Sequence, residues 1–451
     1  MAAVLCVTCA IAFTGSPAAG QRQVPTAAQG ATAGGIDDSV HLNQIQVVGS
    51  HNSYHVEATK AEEDLRRQFI DGAESQLEYG HVPLAEQFAT QKIRQIELDL
   101  FVDDQGGKYA NPLIRQATGG GPYDPTMFQP GIKVLHVQDV DYHSNCLTLK
   151  LCLSAVKRWS DANPNHVPIA IQLELIDVPV PLGGFPFVVP DPWNGPAMDN
   201  LDTEIRSVFN PSDVITPDDI RGTHPTLDEA VRTSGWPTLA ASRGKVLFTM
   251  DNGGGYRDTY LAGHPALQGR EVFSNSVPGQ PDGAFVKVND SRTNVAYIQG
   301  LVSQGYVVRT RADSDTIEAA NNDVTARDAA FASGAQWVST DFPVSEYAQS
   351  RYGNDFVVRL PGTIVARCNP VNAPPGCTDA LVETQPEPLP STTTTTVTTP
   401  TTTASPTTPP FAVATTSTVP VEGSAGAGEP VNGSAPPSAA TAVFAPPTFT
   451  G

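Results

Sequence analysis

Basic residues are scarce in this chain of 451 residues: Lys and Arg number 27 against 47 Asp and Glu, for a formal charge of −20. None precedes Arg22 and none follows Arg367. Such a balance argues against nucleic acid as a partner, because phosphate backbones are bound through Lys and Arg. It argues equally against electrostatic docking on anionic membranes. Beyond the first 20 residues, no segment approaches the roughly 20 apolar residues of a membrane-spanning helix. Cysteine is also rare, at six residues, and no His completes a Cys cluster of zinc-ligand type. No internal repeat stands out.

What is present divides the chain into three. Residues 1–20, MAAVLCVTCAIAFTGSPAAG, are a short apolar run followed by small residues, the pattern of a secretory signal. The absence of Lys or Arg near Met1 departs from that pattern, and a misassigned start codon would account for it. Cys6 and Cys9 would leave with the signal. Cys146, Cys152, Cys368 and Cys377 remain as two close pairs, which suggests two local disulfides in an exported protein. Six residues of helix would separate the first pair by about 9 Å, beyond disulfide reach. If bridged, that pair requires the chain to turn before a helix begins.

From about residue 378 the composition shifts to Thr, Pro, Ser and Ala, including STTTTTVTTPTTT. Such a segment cannot bury enough apolar surface to offset its chain entropy, so 378–451 is expected to be disordered. It reads equally as a glycosylated or wall-spanning stalk and as a solvated tail.

Residues 36–365 are the expected folded unit. Apolar or β-branched runs occur at 45–50, 93–101, 133–137 and 168–175, and again at 245–251, 284–289, 306–311 and 335–341. Helix-like stretches such as LKLCLSAVKRW and NVAYIQGLVSQ separate many of them. Eight runs alternating with helices predict an α/β fold, a (β/α)8 barrel of TIM type. The Pro- and Gly-rich gap over 176–244 is expected to be irregular.

Six polar residues stand where the first four runs end or pause: His51 and Asn52, Glu97 and Asp99, His136, and Glu174. Barrel chemistry sits at the C-terminal ends of strands, so the six should meet at one mouth. Strand alternation puts Glu97 and Asp99 on one face, with Leu98 on the other. Two carboxylates there repel unless a cation lies between them. Two imidazoles and four oxygen donors are the inventory for a hard divalent ion beside an acid/base pair.

SHNSYH, ELD, a lone His and QLEL in successive runs resemble the X-type catalytic region of calcium-dependent phosphatidylinositol-specific phospholipase C, most closely its secreted bacterial members. GYVVRTRAD and GAQWVSTDFP resemble that group's seventh and eighth strands, so the likeness covers roughly 43–345. It implies Asn52, Glu97, Asp99 and Glu174 as Ca²⁺ ligands and His51 and His136 as the catalytic histidines. It further implies attack of the inositol 2-hydroxyl on the adjacent phosphodiester, releasing diacylglycerol and a cyclic inositol phosphate. His136 is then the general acid, with His51 or Glu97 removing the hydroxyl proton. His55 and His143 are expected to be accessory or structural.

Members acting on phosphorylated inositol lipids carry basic residues after the fifth strand, where this chain has Thr249 and Asp251. Plain phosphatidylinositol is therefore the expected substrate. Arg309 and Arg311 share one face and are candidate substrate contacts, with ion pairing to barrel carboxylates as the equal alternative. The apolar segment after Glu174, with Phe185, Phe187, Val188 and Trp193, is a candidate lipid-inserting loop. A monomer is expected. Two other readings stand beside this one. The first is a glycerophosphodiester phosphodiesterase, although that family opens with HRG where this chain has HNS. The second is a non-catalytic barrel displayed at the cell wall.

Overall fold

The structure, a computed structural model, describes residues 36–68, 74–180, 184–314 and 316–382. The expected signal (1–20) lies outside the described residues, as does the expected tail apart from 378–382. Strands are β1 (Ile45–Ser50), β2 (Gln95–Phe101), β3 (Lys133–Val134), β4 (Ile169–Leu175) and β5 (Val246–Met250). They continue with β6 (Val272–Phe273), β7 (Phe285–Asp290), β8 (Val307–Arg311), β9 (Trp337–Thr340) and β10 (Ala366–Cys368).

Eight of them run parallel in the order β6-β5-β4-β2-β1-β9-β8-β7. A single parallel bridge, Asn275 to Phe285, links the two ends of that row. The result is a nearly closed barrel, as the alternation of strands and helices predicts.

Two staves differ from expectation. The run at 133–137 is not a wall strand, because β3 pairs antiparallel with the end of β2, Leu100 against Val134. A parallel stave needs a crossover of a dozen or more residues, usually a helix. Between β2 and β3 the chain forms only Leu113–Ala117 and the 3-10 turn Pro125–Phe128. The eighth stave is instead β6, whose two residues are too few to show a period. The gap at 176–244 is more ordered than expected, with helices at Gly195–Val208, Pro217–Arg221, Leu227–Thr233 and Leu239–Ser242.

The barrel wall is packed through and through: β1, β2, β4, β5, β8 and β9 are buried at every position. Gly49 is required where β1 meets β2, since a Cβ there would fall 1.8 Å from Gln95 Oε1. Beyond residue 365 the chain stays folded: β10 pairs antiparallel with β1, Ile45 against Cys368.

Both disulfides form. The Cys146 and Cys152 Cα atoms are 5.0 Å apart. The helix starts only at Leu149, after a turn in which Leu147 takes φ 52°. No helix among the described residues is long and apolar enough to cross a membrane.

Candidate active site

Register brings the carboxylates together. In the β2–β4 pair, Asp99 stands directly beside Glu174 and Glu97 beside Gln172. Glu97, Asp99 and Glu174 each offer an oxygen within 4.8 Å of the others, and all three are buried. Asn52 sits just past β1 with φ 41°, a left-handed turn that Asn tolerates. Its Nδ2 donates to Tyr79 Oη at 2.8 Å. Three buried oxygens, Asn52 Oδ1, Glu97 Oε1 and Asp99 Oδ1, accept no hydrogen bond.

Buried oxygens are rarely left unpaired, because each forfeits its hydration. Burial, and then the charges of Glu174 and Glu97, push the Asp99 carboxyl well above its ordinary range. Burial and the charge of Asp251 do the same to Glu174. A divalent cation removes both penalties, and the donors present are the hard oxygens that calcium takes.

His51 and His136 each bond a carboxylate through Nδ1: His51 to Asp341 at 2.8 Å and His136 to Asp141 at 2.8 Å. Burial, then the Arg311 charge, lowers the His51 pKa to about 3, so at neutral pH the ring is uncharged. With its one proton donated to Asp341, Nε2 is an acceptor, and Arg311 Nη1 lies 3.2 Å from it. Asp141 is shared: His55 Nε2 is 2.8 Å from it and Arg66 Nη1 donates at 2.7 Å. Those cations hold it well below the usual carboxylate range despite burial.

All six residues thus reach the barrel mouth, though His136 arrives on a hairpin beyond β3 and not on a wall strand. The two rings are linked through the aromatic cluster. Tyr79 stands 6.1 Å from His51 and 4.5 Å from His55, and His55 5.9 Å from His136, centroid to centroid. His143 is structural: its Nε2 bonds Glu62, which also caps the helix Lys60–Arg66 in a box with Thr59.

Both arginines are ion-paired to barrel carboxylates. Arg309 is fully buried and paired with Glu97, and its Nη1 donates to Asn289 at 2.5 Å. Arg311 Nη2 donates to Asp341 at 2.7 Å. Lys287 is paired with Asp251.

In the loop after β4, Phe185 is 47% exposed, whereas Trp193 is 4% exposed, its Nε1 donating to the Ile176 carbonyl. Trp193 therefore belongs to the core and not to a lipid-facing tip, because its indole N–H finds a partner inward. The sequence reading missed Asp341, Asp141, Tyr79 and His81, the last holding the His51 carbonyl at 2.8 Å. Only Asp341 had a local signal, as the polar residue closing a strand-like run.

A mouth with paired imidazoles around clustered, hydrogen-bond-starved oxygens belongs to a metal-assisted acid–base enzyme on a (β/α)8 barrel. Residues 40–370 match the family model of calcium-dependent phosphoinositide phospholipase C. The chain belongs to that family, and is accordingly a calcium-dependent enzyme cleaving phosphoinositide phosphodiesters. Among solved structures it is similar to a calcium-dependent phosphoinositol-specific phospholipase C from Pseudomonas sp. That likeness has 17% identity and a TM-score of 0.45, covering 74% of this chain and 96% of that one. It is also similar to a phosphatidylinositol-specific phospholipase C from Streptomyces antibioticus. There the identity is 20% and the TM-score 0.41, covering 69% of this chain and 97% of that one. No curated protein matches the chain.

Proposed function

We propose that the chain cleaves phosphatidylinositol itself to diacylglycerol and a cyclic inositol phosphate, with the 2-hydroxyl as nucleophile. The observation that carries this is the set of three unpaired buried oxygens beside Glu174, flanked by two carboxylate-held imidazoles. Asn52, Glu97, Asp99 and Glu174 would hold the calcium ion. When bound, calcium lowers the pKa of a ligated hydroxyl and neutralises charge developing on phosphoryl oxygen. The proton leaves to His51 Nε2 or Glu97 Oε1. Asp341 fixes the His51 tautomer, and Arg311, against the same ring nitrogen, is placed to contact the phosphoryl group. Burial pushes the Glu97 carboxyl up, and the Arg309 charge opposes that, favouring the carboxylate. His136, with Nδ1 held by Asp141 and its side chain 17% exposed, gives its proton to the departing glycerol oxygen.

Every cation described in the mouth already faces a carboxylate: Lys287 with Asp251, Arg309 with Glu97, Arg311 with Asp341. This supports a headgroup without ring phosphates. The two disulfides support an oxidising compartment and hence export. A stalk role for residues 378–451 and a monomeric state are further parts of the proposal.

Purified protein is incubated with phosphatidylinositol vesicles in EDTA, then with calcium restored, and products are read by ³¹P NMR. We expect cyclic inositol phosphate only with calcium. In a parallel arm with deacylated glycerophosphoinositol, release of glycerol phosphate would favour the glycerophosphodiesterase reading. No soluble phosphate product from the vesicles and no cleavage of the deacylated substrate would defeat both. Phe185→Ser should weaken vesicle sedimentation several-fold while sparing turnover of a soluble substrate. Equal loss on both would remove lipid contact from this loop.

A further inference from the structure

Six residues, 136–141, join His136 to the carboxylate that orients it, and the four between them face away from the chemistry. Val137 and Val140 pack with Val180 and Phe187 of the loop after β4. Gln138 Nε2 donates to the Val178 carbonyl at 3.1 Å. Asp139 is 4% exposed, at φ 67°, a conformation that costs a non-glycine residue free energy unless its surroundings hold it. Its two oxygens accept from two other rim segments: Oδ1 from Leu113 N at 3.0 Å and Oδ2 from Val188 N at 2.6 Å. Its carbonyl accepts from Ile114 N at 3.0 Å. A solvated turn would need none of these bonds, and a buried carboxylate satisfied by backbone N–H groups is costly to disturb.

The hairpin is pinned below as well. Val137 and Asp141 close it through an antiparallel bridge, and Arg66 and His55 fix the Asp141 end. The His136 ring has no other hydrogen bond among the described residues than the one to Asp141. Its direction is therefore set by the hairpin, and the hairpin by its outer seat.

We propose that Asp139 is a positioning residue: it fastens the loop after β4 to the hairpin carrying His136, so that the aim of the proton-donating ring depends on that loop being seated. This rests on His136 being the general acid, as proposed above. A general acid matters in proportion to the basicity of the leaving oxygen. A misaimed one therefore slows departure of an alkoxide and leaves departure of a nitrophenolate nearly unchanged. A merely structural defect slows both.

The test uses the full chain with calcium and two soluble substrates. One is a short-chain monomeric phosphatidylinositol, the other the 4-nitrophenyl ester of inositol phosphate. Asp139→Asn keeps a residue type that tolerates the left-handed turn but sets an N–H against one of the two backbone donors. We expect kcat on the alkyl substrate to fall about tenfold with KM held, since misplacement of a reacting group by 1 Å can cost on the order of a hundredfold. The nitrophenyl substrate should change less than about twofold.

Should Asp139→Asn fail to fold, Phe187→Ala decides in its place, because it empties the same seat from a half-buried position and should show the same split. His136→Ala is the reference. If it discriminates between the substrates and the decisive variant does not, the coupling is wrong and the general-acid reading stands. If His136→Ala itself fails to discriminate, the general-acid reading falls and takes the coupling with it.

Discussion

His51 and His136 both bond a carboxylate through Nδ1 at 2.8 Å, and there the likeness between the two centres ends. His51 lies at the end of a wall strand, its side chain 8% exposed, boxed by Asp341 just past the adjacent strand β9 and by Arg311 of β8 beyond it. His136 rides a hairpin above β2, 17% exposed, on a carboxylate that also anchors Arg66 and His55. The lesson is that one motif, imidazole on carboxylate, serves two ends. Where the carboxylate touches only the catalytic network it sets a tautomer. Where it also gathers groups outside that network, here Arg66 and His55, it holds up the rim as well.

Asp341→Asn and Asp141→Asn put that contrast to its strongest test. An amide at 341 offers an N–H where His51 Nδ1 needs an acceptor, turning a proton toward Arg311 at Nε2. We expect kcat to fall by about a hundredfold or more, with a smaller loss of stability than at Asp141, because Arg311 keeps a second carboxylate, Asp313, at 3.6 Å. Asp141→Asn should lower activity too, but its clearest mark should be instability. It takes the Asp141 charge away from buried Arg66 and His55 at once, and breaking such a buried pair costs about 3–5 kcal/mol, read by urea denaturation. Similar stability losses in the two variants would erase the distinction.

A smaller effect is expected from pH. His51 is held near 3 and His81 near 4 by burial, against about 6.5 in the unfolded chain. Below 6.5 the unfolded state takes up those protons and the folded state does not, so their contribution is complete above 6.5 and is lost as pH falls toward 4 and 3. His55 has the opposite sign: Asp141 raises its folded value against the opposing effect of burial, so its contribution is full below 6.5 and fades as pH rises. In EDTA the buried carboxylates Asp99 and Glu174, held well above their ordinary range, act in the opposite direction as pH falls. The histidine contribution between pH 6.5 and 5 is therefore read as the difference between the slopes of variant and parent. His51→Gln should remove up to roughly 1.4 kcal/mol per pH unit of the parent slope. An unchanged slope would mean that His51 is not buried neutral.

Much of the fold was legible because strand and helix periods are local. Seven of the eight barrel staves coincide with runs visible in the sequence, and the turn demanded by Cys146 and Cys152 is where spacing required it. β6 was invisible because two residues carry no period. The strand-like run containing His136 misled because KVLHV is β-branched and apolar yet has no crossover helix ahead of it. Trp193 looked like part of a surface loop because hydropathy does not say which way a loop folds back.

What the sequence alone determined was the inventory and its order: which polar groups close which runs, that Glu97 and Asp99 share a face, and that two cysteine pairs lie close along the chain. Those follow from spacing and alternation within a few residues. Only the closed barrel decided the pairings, because Asp341 reaches His51 across 290 positions and Arg309 reaches Glu97 across 212. Contacts of that span depend on how the strands register and the barrel closes, and no local pattern of side chains encodes that by itself.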